Sequence, residues 1–377
     1  MRRTILYITV GLLLTGCTAG NDEWLPAATG DGEAIAFGAS MTEMGSRRAA
    51  NETETTAALQ TVGGFGVFGC YTGQHRYADS NVTSDFMYNQ QVTSLDGGTT
   101  WSYEPVKYWL NGEGESSSGT GATVHYVSFF AYAPYSNQRT DNAAGYTIPT
   151  FSLQHEVGNP WLTYRLHNDV AQQVDLLYAV PLMNRIKPGS DQKLQFTFRH
   201  ALACAGDQVR LTMADELRTM YKTRIDANPT HTEVVVTLTG VTVRYQLTEK
   251  ARLVLWTGSE PNWQPIISEN ALTTRSVSLE PTDSYSLPYE LYRYDGTTET
   301  IAADWQDAGH GVYYIPLHID GSPQTAEVTL AYDVVTTISG TPMTVHKTST
   351  TTLTLSDYVS SYQAGKHLFF NLTLIKE

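Results

Sequence analysis

His231 and Glu233 stand two residues apart in an alternating segment, so both project from one face of a strand. That spacing suits a weak two-ligand metal pair and equally an ordinary polar face. The other histidines, of 10 in all, are scattered. No His-Glu-x-x-His helix, Cys-x-x-Cys pair or acidic calcium loop occurs. No Gly-x-Ser-x-Gly elbow presents a serine nucleophile, and no glycine-rich loop cradles a phosphate. His200 falls on the apolar side of its segment and reads as a core histidine. The chemistry-bearing residues thus give no sign of an enzyme, a metal site or a cofactor. Aromatic side chains offer a different chemistry, stacking on the apolar face of a sugar ring. Trp256 and Trp263 flank Gly258, Pro261 and Asn262 in a loop-like stretch and are the candidate ligand-facing aromatics. Trp101, Tyr103, Tyr108 and Trp109 also cluster, in a pattern closer to core filling.

Two further positions are suited to modification by other proteins. Arg2 and Arg3 precede an apolar run from Ile5 to Leu14, which stops at Leu14-Thr15-Gly16-Cys17. A basic start, a short apolar stretch and small residues make a secretory signal, too short to span a bilayer. The cysteine after Thr-Gly resembles the bacterial lipobox. That resemblance implies removal of residues 1–16 and lipidation of Cys17, with enough hydrocarbon for firm membrane anchoring. Residues 17–33 then read as a polar tether, and Asp22-Glu23 resemble the surface-export signals of Bacteroidota lipoproteins. Farther on, Arg47-Arg48 lies in a Ser/Gly/Ala-rich stretch. It is either a solvated basic pair or an exposed site for a trypsin-like protease.

Composition narrows the classes. The 377 residues suffice for two ordinary domains, and 41% hydrophobic content supports sizeable cores. A net charge of −14 argues against nucleic acid and against a peripheral grip on anionic lipid. Besides Cys17, the chain holds Cys70 and Cys204, which either pair as a disulfide or sit as small buried thiols.

The elements that must position these residues are strands. Leu194, Phe196 and Phe198 alternate with Gln195, Thr197 and Arg199. Similar alternation runs through Val241–Leu247, Ala326–Val334 and Leu368–Leu374, each with one face for a core and one for solvent. Asp96-Gly97-Gly98, Asn111-Gly112, Asp295-Gly296 and Asp320-Gly321 supply turns between runs. The best helical candidate, Ala214–Lys222, predicts one or two turns. Lys187-Pro188-Gly189-Ser190-Asp191 marks a boundary. The expected organisation is a signal peptide (1–16), a tether (17–33) and two β-sandwich domains (34–188 and 189–377).

A set of landmarks now lines up in order. Phe65-Gly66-Val67-Phe68-Gly69 precedes Phe86-Met87-Tyr88-Asn89, then the run Trp101–Trp109, then Val127–Pro134 and Asp175–Ala179. Leu194–Leu202 opens the second half, and Gly365-Lys366-His367 precedes the last strand. This order resembles the fimbrillin, or Mfa-like, family of Bacteroidota, whose members are subunits of type V pili. The resemblance implies all-β, transthyretin-like antiparallel sandwiches and no cofactor. It implies a lipoprotein carried to the outer-membrane surface, cut after an arginine by a trypsin-like protease, and joined to other pilus subunits by strand exchange. A receptor on a host or bacterial surface would follow from an adhesive role. On this chain the strand to be removed is Ile35, Phe37, Ala39 and Met41 with their alternating neighbours, and the cut falls after Arg47 or Arg48. The strand Leu368–Leu374, read as the last core strand, leaves little to donate beyond it, which favours a tip or accessory place in the pilus; alternatively this final strand is itself the donor. The alternative from another class is a surface glycan-binding lipoprotein of a nutrient importer, for which the first strand is permanent and Trp109, Trp256 or Trp263 stand exposed. Replacing Cys17→Ser should abolish incorporation of labelled palmitate and free the chain from the membrane fraction; unchanged labelling would rule out the lipobox reading.

Overall fold

The computed structural model describes residues 33–41, 55–78, 82–110, 124–137, 148, 150–187, 193–255, 258, 260–266, 272–278, 286–308, 311–317, 319, 322–357 and 364–375. The strands of the first part are β1 (Phe37–Met41), β2 (Phe65–Gly73), β3 (Met87–Val92), β4 (Tyr126–Ala133), β5 (Thr150–Phe151), β6 (Trp161–Arg165), β7 (Leu177–Ala179), β8 (Leu182–Arg185) and β9 (Leu194–His200). Then come β10 (Ala203–Met213), β11 (His231–Thr248), β12 (Lys250–Val254), β13 (Asn262–Pro265), β14 (Leu272–Ser278), β15 (Tyr289–Tyr294) and β16 (Glu299–Ile301). The last are β17 (Trp305–Ala308), β18 (Val312–Tyr314), β19 (Thr325–Ile338), β20 (Thr341–Thr354) and β21 (His367–Leu374). Two helices, α1 (Thr56–Thr61) and α2 (Asp215–Asp226), complete the set of longer elements. The fold is all-β, as the alternation requires.

Four sheets form. A seven-stranded sheet runs β1-β9-β7-β4-β2-β3, with β8 also on β4. A six-stranded sheet runs β16-β15-β11-β19-β20, with β14 also on β11. Two smaller sheets run β17-β10-β18, with β21 on β10, and β13-β12-β6-β5. The pairs are antiparallel except for β1 with β9 and β10 with β21, which are parallel.

The seven-stranded sheet is covered on both faces. Phe65, Val67, Phe129, Ala131, Phe196 and Phe198 enter one apolar cluster, while Phe68, Cys70, Phe130, Tyr132 and Tyr178 enter another. Two-sided cover explains why Val127–Ala133 reads as an almost continuous apolar run rather than a clean alternation. The six-stranded sheet is different. Val241, Val243, Tyr245 and Leu247 of β11 are buried, and Thr242, Arg244 and Gln246 between them are exposed. At the β19–β20 hairpin Ser339 and Gly340 both take positive φ (51° and 81°), the geometry of a tight two-residue turn.

The expected divide at 188/189 is not a divide between sheets. β9, which lies beyond it, joins β1 and β7 in the first sheet. β6, which lies before it, pairs with β12. Only Ala201 and Leu202 separate β9 from β10, and both are buried, so one strand path passes from the first sheet into the second. At this crossing His200 meets Asp175, Nδ1 to Oδ2, at 2.6 Å with both side chains buried. α2 also exceeds its expectation. Leu217, Tyr221 and Ile225 are buried at intervals of four, so the apolar stripe continues three residues past Lys222. Asp215 and Glu216 at its start and Arg224 at its end complement the helix dipole.

Of the two readings left open for Cys70 and Cys204, the structure has the second: both are buried thiols, not a disulfide. Burial pushes the Cys70 thiol up to about 12, against the opposing effect of the Ser84 hydroxyl 3.9 Å away. Both thiols should therefore ignore an aromatic disulfide reagent at pH 8 in the native chain and react once denaturant is added; native reactivity would contradict this burial. Asp175→Ala should cost about 3–5 kcal/mol in chemical denaturation, because it strips a buried pair of one partner. Arg210→Ala, which opens the exposed Arg210–Asp304 pair, should cost less than about 1 kcal/mol. Equal losses would mean the buried pair is not a structural fastening.

Candidate functional site

The first strand is the element the expected mechanism acts on. Its alternation places Ile35 and Phe37 in the core, 2% and 1% exposed, while Ala39 and Met41 are half-buried against the same cluster. Phe37 sits among three rings: Tyr103 at 5.4 Å, Phe129 at 5.6 Å and Phe196 at 5.6 Å between centroids. Burying an Ile and a Phe side chain is worth roughly 1.5–3 kcal/mol each. Side chains therefore hold this strand as much as its backbone does.

The backbone of β1 has one strand partner. Phe37–Met41 lies in register with Leu194–Phe198 of β9, and β1 forms the edge of the sheet. The Leu194 N–H donates to Ala36 O at 2.7 Å, and the Ser40 hydroxyl donates to Phe196 O at 3.2 Å.

The residues just before β1 are gripped differently. Ile35 N–H donates to Lys107 O at 2.9 Å, Trp109 N–H donates to Glu33 O at 3.0 Å, and Ala34 bridges Tyr108 antiparallel. The Tyr103 hydroxyl donates to Ile35 O at 2.7 Å. Burial pushes the Tyr103 phenol up to about 12, so at neutral pH it is protonated and able to donate. Lys187 and Glu33 form a peripheral ion pair at 3.9 Å. The segment 101–110 is thus a strap along the start of the strand. Its sequence stood out for its aromatics, but nothing in it signalled hydrogen bonding to residues about 70 positions upstream. The one legible sign was a Trp at each end of the run.

The other expected site residues fall as follows. Cys17, Arg47, Arg48 and Trp256 lie outside the described residues. Arg47 and Arg48 belong to 42–54, the stretch joining β1 to α1. Trp263, expected to face a ligand, is instead buried: it is 6% exposed, its indole N–H donates to Ala201 O at 2.8 Å, and its ring packs edge-on to Tyr164. Its position on β13, paired with Leu253, turns it into the core. Trp101 and Trp109 are buried too. Glu233 is taken by Arg293 and by the Thr337 hydroxyl rather than shared with His231 toward a metal. Among the described residues no group of three His, Cys, Asp or Glu is placed to hold a metal ion. His200 is the buried partner of Asp175 already described, in keeping with a core histidine.

No family model matches the chain, and no curated protein matches it. Solved structures do. A fimbrial protein from Bacteroides vulgatus ATCC 8482 superposes with a TM-score of 0.58 at 18% identity, covering 90% of this chain and 95% of that one. A candidate cell adhesion protein from Bacteroides uniformis ATCC 8492 aligns at 12% identity and TM-score 0.36, over 83% of this chain and 86% of that one. One from Parabacteroides distasonis ATCC 8503 aligns at 9% identity and TM-score 0.39, over 90% and 88%. The fold argument rests on the first of these, and the likeness agrees with the family resemblance carried by the ordered landmarks. The chain has the all-β fold of this Bacteroides fimbrial protein.

Proposed function

We propose that this chain is a structural subunit of a cell-surface fimbrium of the type V kind, supporting adhesion or biofilm formation. It would be made as a lipoprotein anchored at the outer-membrane surface through Cys17. A trypsin-like protease would cut after Arg47 or Arg48, β1 would leave, and a strand of another subunit would take its place. The observation that carries this reading is the seating of β1 and its lead-in: β1 is an edge strand paired with β9, and Ile35 and Phe37 fill a core. Such a strand can be replaced by another with equivalent side chains, since ladder bonds give affinity and alternate side chains give register. The fold shared with a fimbrial protein supports the reading.

The strand this chain accepts is better supported than one it gives. β21 is engaged along its length with β10, and Phe370, Leu372 and Leu374 are buried. The glycan-binding alternative draws on exposed aromatics. Among the described residues Trp109 and Trp263 offer no free face, and Trp256 lies outside them.

Native trypsin treatment of residues 18–377 tests the proposal. The expected result is a clean cut after Arg47 or Arg48, loss of β1 under mild conditions, and association with a second subunit or a donor peptide. A chain that keeps β1 after cleavage and binds no strand would sink strand exchange, and a glycan array would then be the next measurement.

A further inference from the structure

The slot that holds residues 33–41 is walled in part by contacts that those residues do not make. On one side lies the strap 101–110. Trp101 packs on Phe65 at 5.0 Å and Trp109 packs edge-on to Phe129 at 6.4 Å, so a buried indole pins each end. Thr93 and Ser102 exchange backbone hydrogen bonds of 2.9 and 2.8 Å, and the Gln90 amide donates to Glu104 O at 2.9 Å. None of these contacts involves the first strand.

The far end of the slot is also closed. β1 uses the edge of β9 as far as Phe198. Beyond it, Leu202 O accepts from Gly365 N–H at 2.5 Å, and Cys204 N–H donates to Lys366 O at 2.9 Å. Residues 194, 202 and 204 are all even-numbered on one strand path, so they turn their backbone groups to the same edge. Ala201, an odd-numbered neighbour, donates to Leu176 on the opposite side. β1 and the lead into β21 therefore lie along one edge, which the lead takes from Leu202 onward.

Within these limits two features read an occupant. At the position of Ile35 the strap grips the backbone, with Lys107 O accepting its N–H, and the Tyr103 hydroxyl awaits a carbonyl. A slide of one residue that keeps the side chains on their faces would present an N–H there, and one that keeps a carbonyl there would move every side chain to the opposite face. Two residues on, the cage of Tyr103, Phe129 and Phe196 fits an aromatic ring. A shift of two would restore the carbonyl but bring Ala39 to the cage and a ring to the Ile35 site.

We infer that the strap 101–110, acting through the Tyr103 hydroxyl and the ring cage, is a register gauge that admits an extended partner segment with an aliphatic side chain followed two residues later by an aromatic one. The inference rests on the strand-exchange reading above. Tyr103 is a positioning residue: it aligns the incoming backbone.

The test offers labelled peptides to the chain after cleavage within 42–54 and removal of the N-terminal piece, with fluorescence anisotropy as the readout. The peptides are residues 33–41, the same segment with Ile35 and Phe37 exchanged, and a version displaced by one position. The native order should bind about tenfold or more tightly than the exchanged one, since overpacking one site and underfilling the other both penalise a packed core. Tyr103→Phe should weaken the native peptide about fivefold, the weight of one hydrogen bond, and narrow its lead over the displaced peptide. A purely structural role for Tyr103 would weaken all three peptides by one factor, and that result overturns the inference. So does equal binding of the three peptides to the unsubstituted chain, a comparison that needs no variant to fold. A cleaved chain that takes up no peptide at all overturns the strand-exchange reading and the gauge with it.

Discussion

The backbone edge of the path from Leu194 to Met213 carries both terminal strands described here. β1 lies on its first part and β21 on its second, both parallel to it. Parallel neighbours cannot be joined by a tight turn, so each must come from a distant part of the chain. This path is also where the sheets join, since β9 belongs to the seven-stranded sheet and β10 to another. The buried Asp175–His200 contact at the crossing ties the path to the segment leading into β7. Positions of the strap, the slot and the last strand all follow from how this one path is held.

The contrast between the two terminal strands is one of commitment. β21 pairs with β10 through Met213 and buries Phe370, Leu372 and Leu374. β1 has five paired residues, and its fully buried side chains are those at its start. On the proposed exchange, a short edge strand would lose few ladder bonds on leaving and would open an apolar slot beside a free edge, the kind of edge that pairs with another strand. On the register-gauge proposal the strap would make that slot specific, because it supplies directional groups where a bare edge would accept almost any extended chain.

Much of the fold could be read from residue order. The alternation of Val241–Leu247 and Ala326–Val334 gave strands with the correct buried faces, because those strands have solvent on one side. Ile35 and Phe37 were likewise legible as core-facing. Reading was poorer where an element has cover on both sides or meets a distant partner. The Pro-Gly cluster at 188–189 looked like a domain boundary, yet pairing of β9 with β1 crosses it. Trp263 lay near loop-forming residues, but its indole found Ala201 O and the Tyr164 ring, contacts with no local signature. The helix was legible only as Ala214–Lys222, and Ile225, the last buried residue of α2, lies beyond that range.

By itself the sequence determined periodicity, and with it the strand class, the inward faces and the identity of the first strand, since a pleated backbone sends alternate side chains to opposite sides whatever lies around it. It also determined the short apolar leader with its cysteine and the acidic balance of the chain. Tertiary structure decided which strands become neighbours, that two of those pairings are parallel, and that Tyr103 and Lys107 close over Ile35. The physical reason is that pairing is set by which apolar faces can be covered together, a property of the assembled sheets that no local run of residues contains.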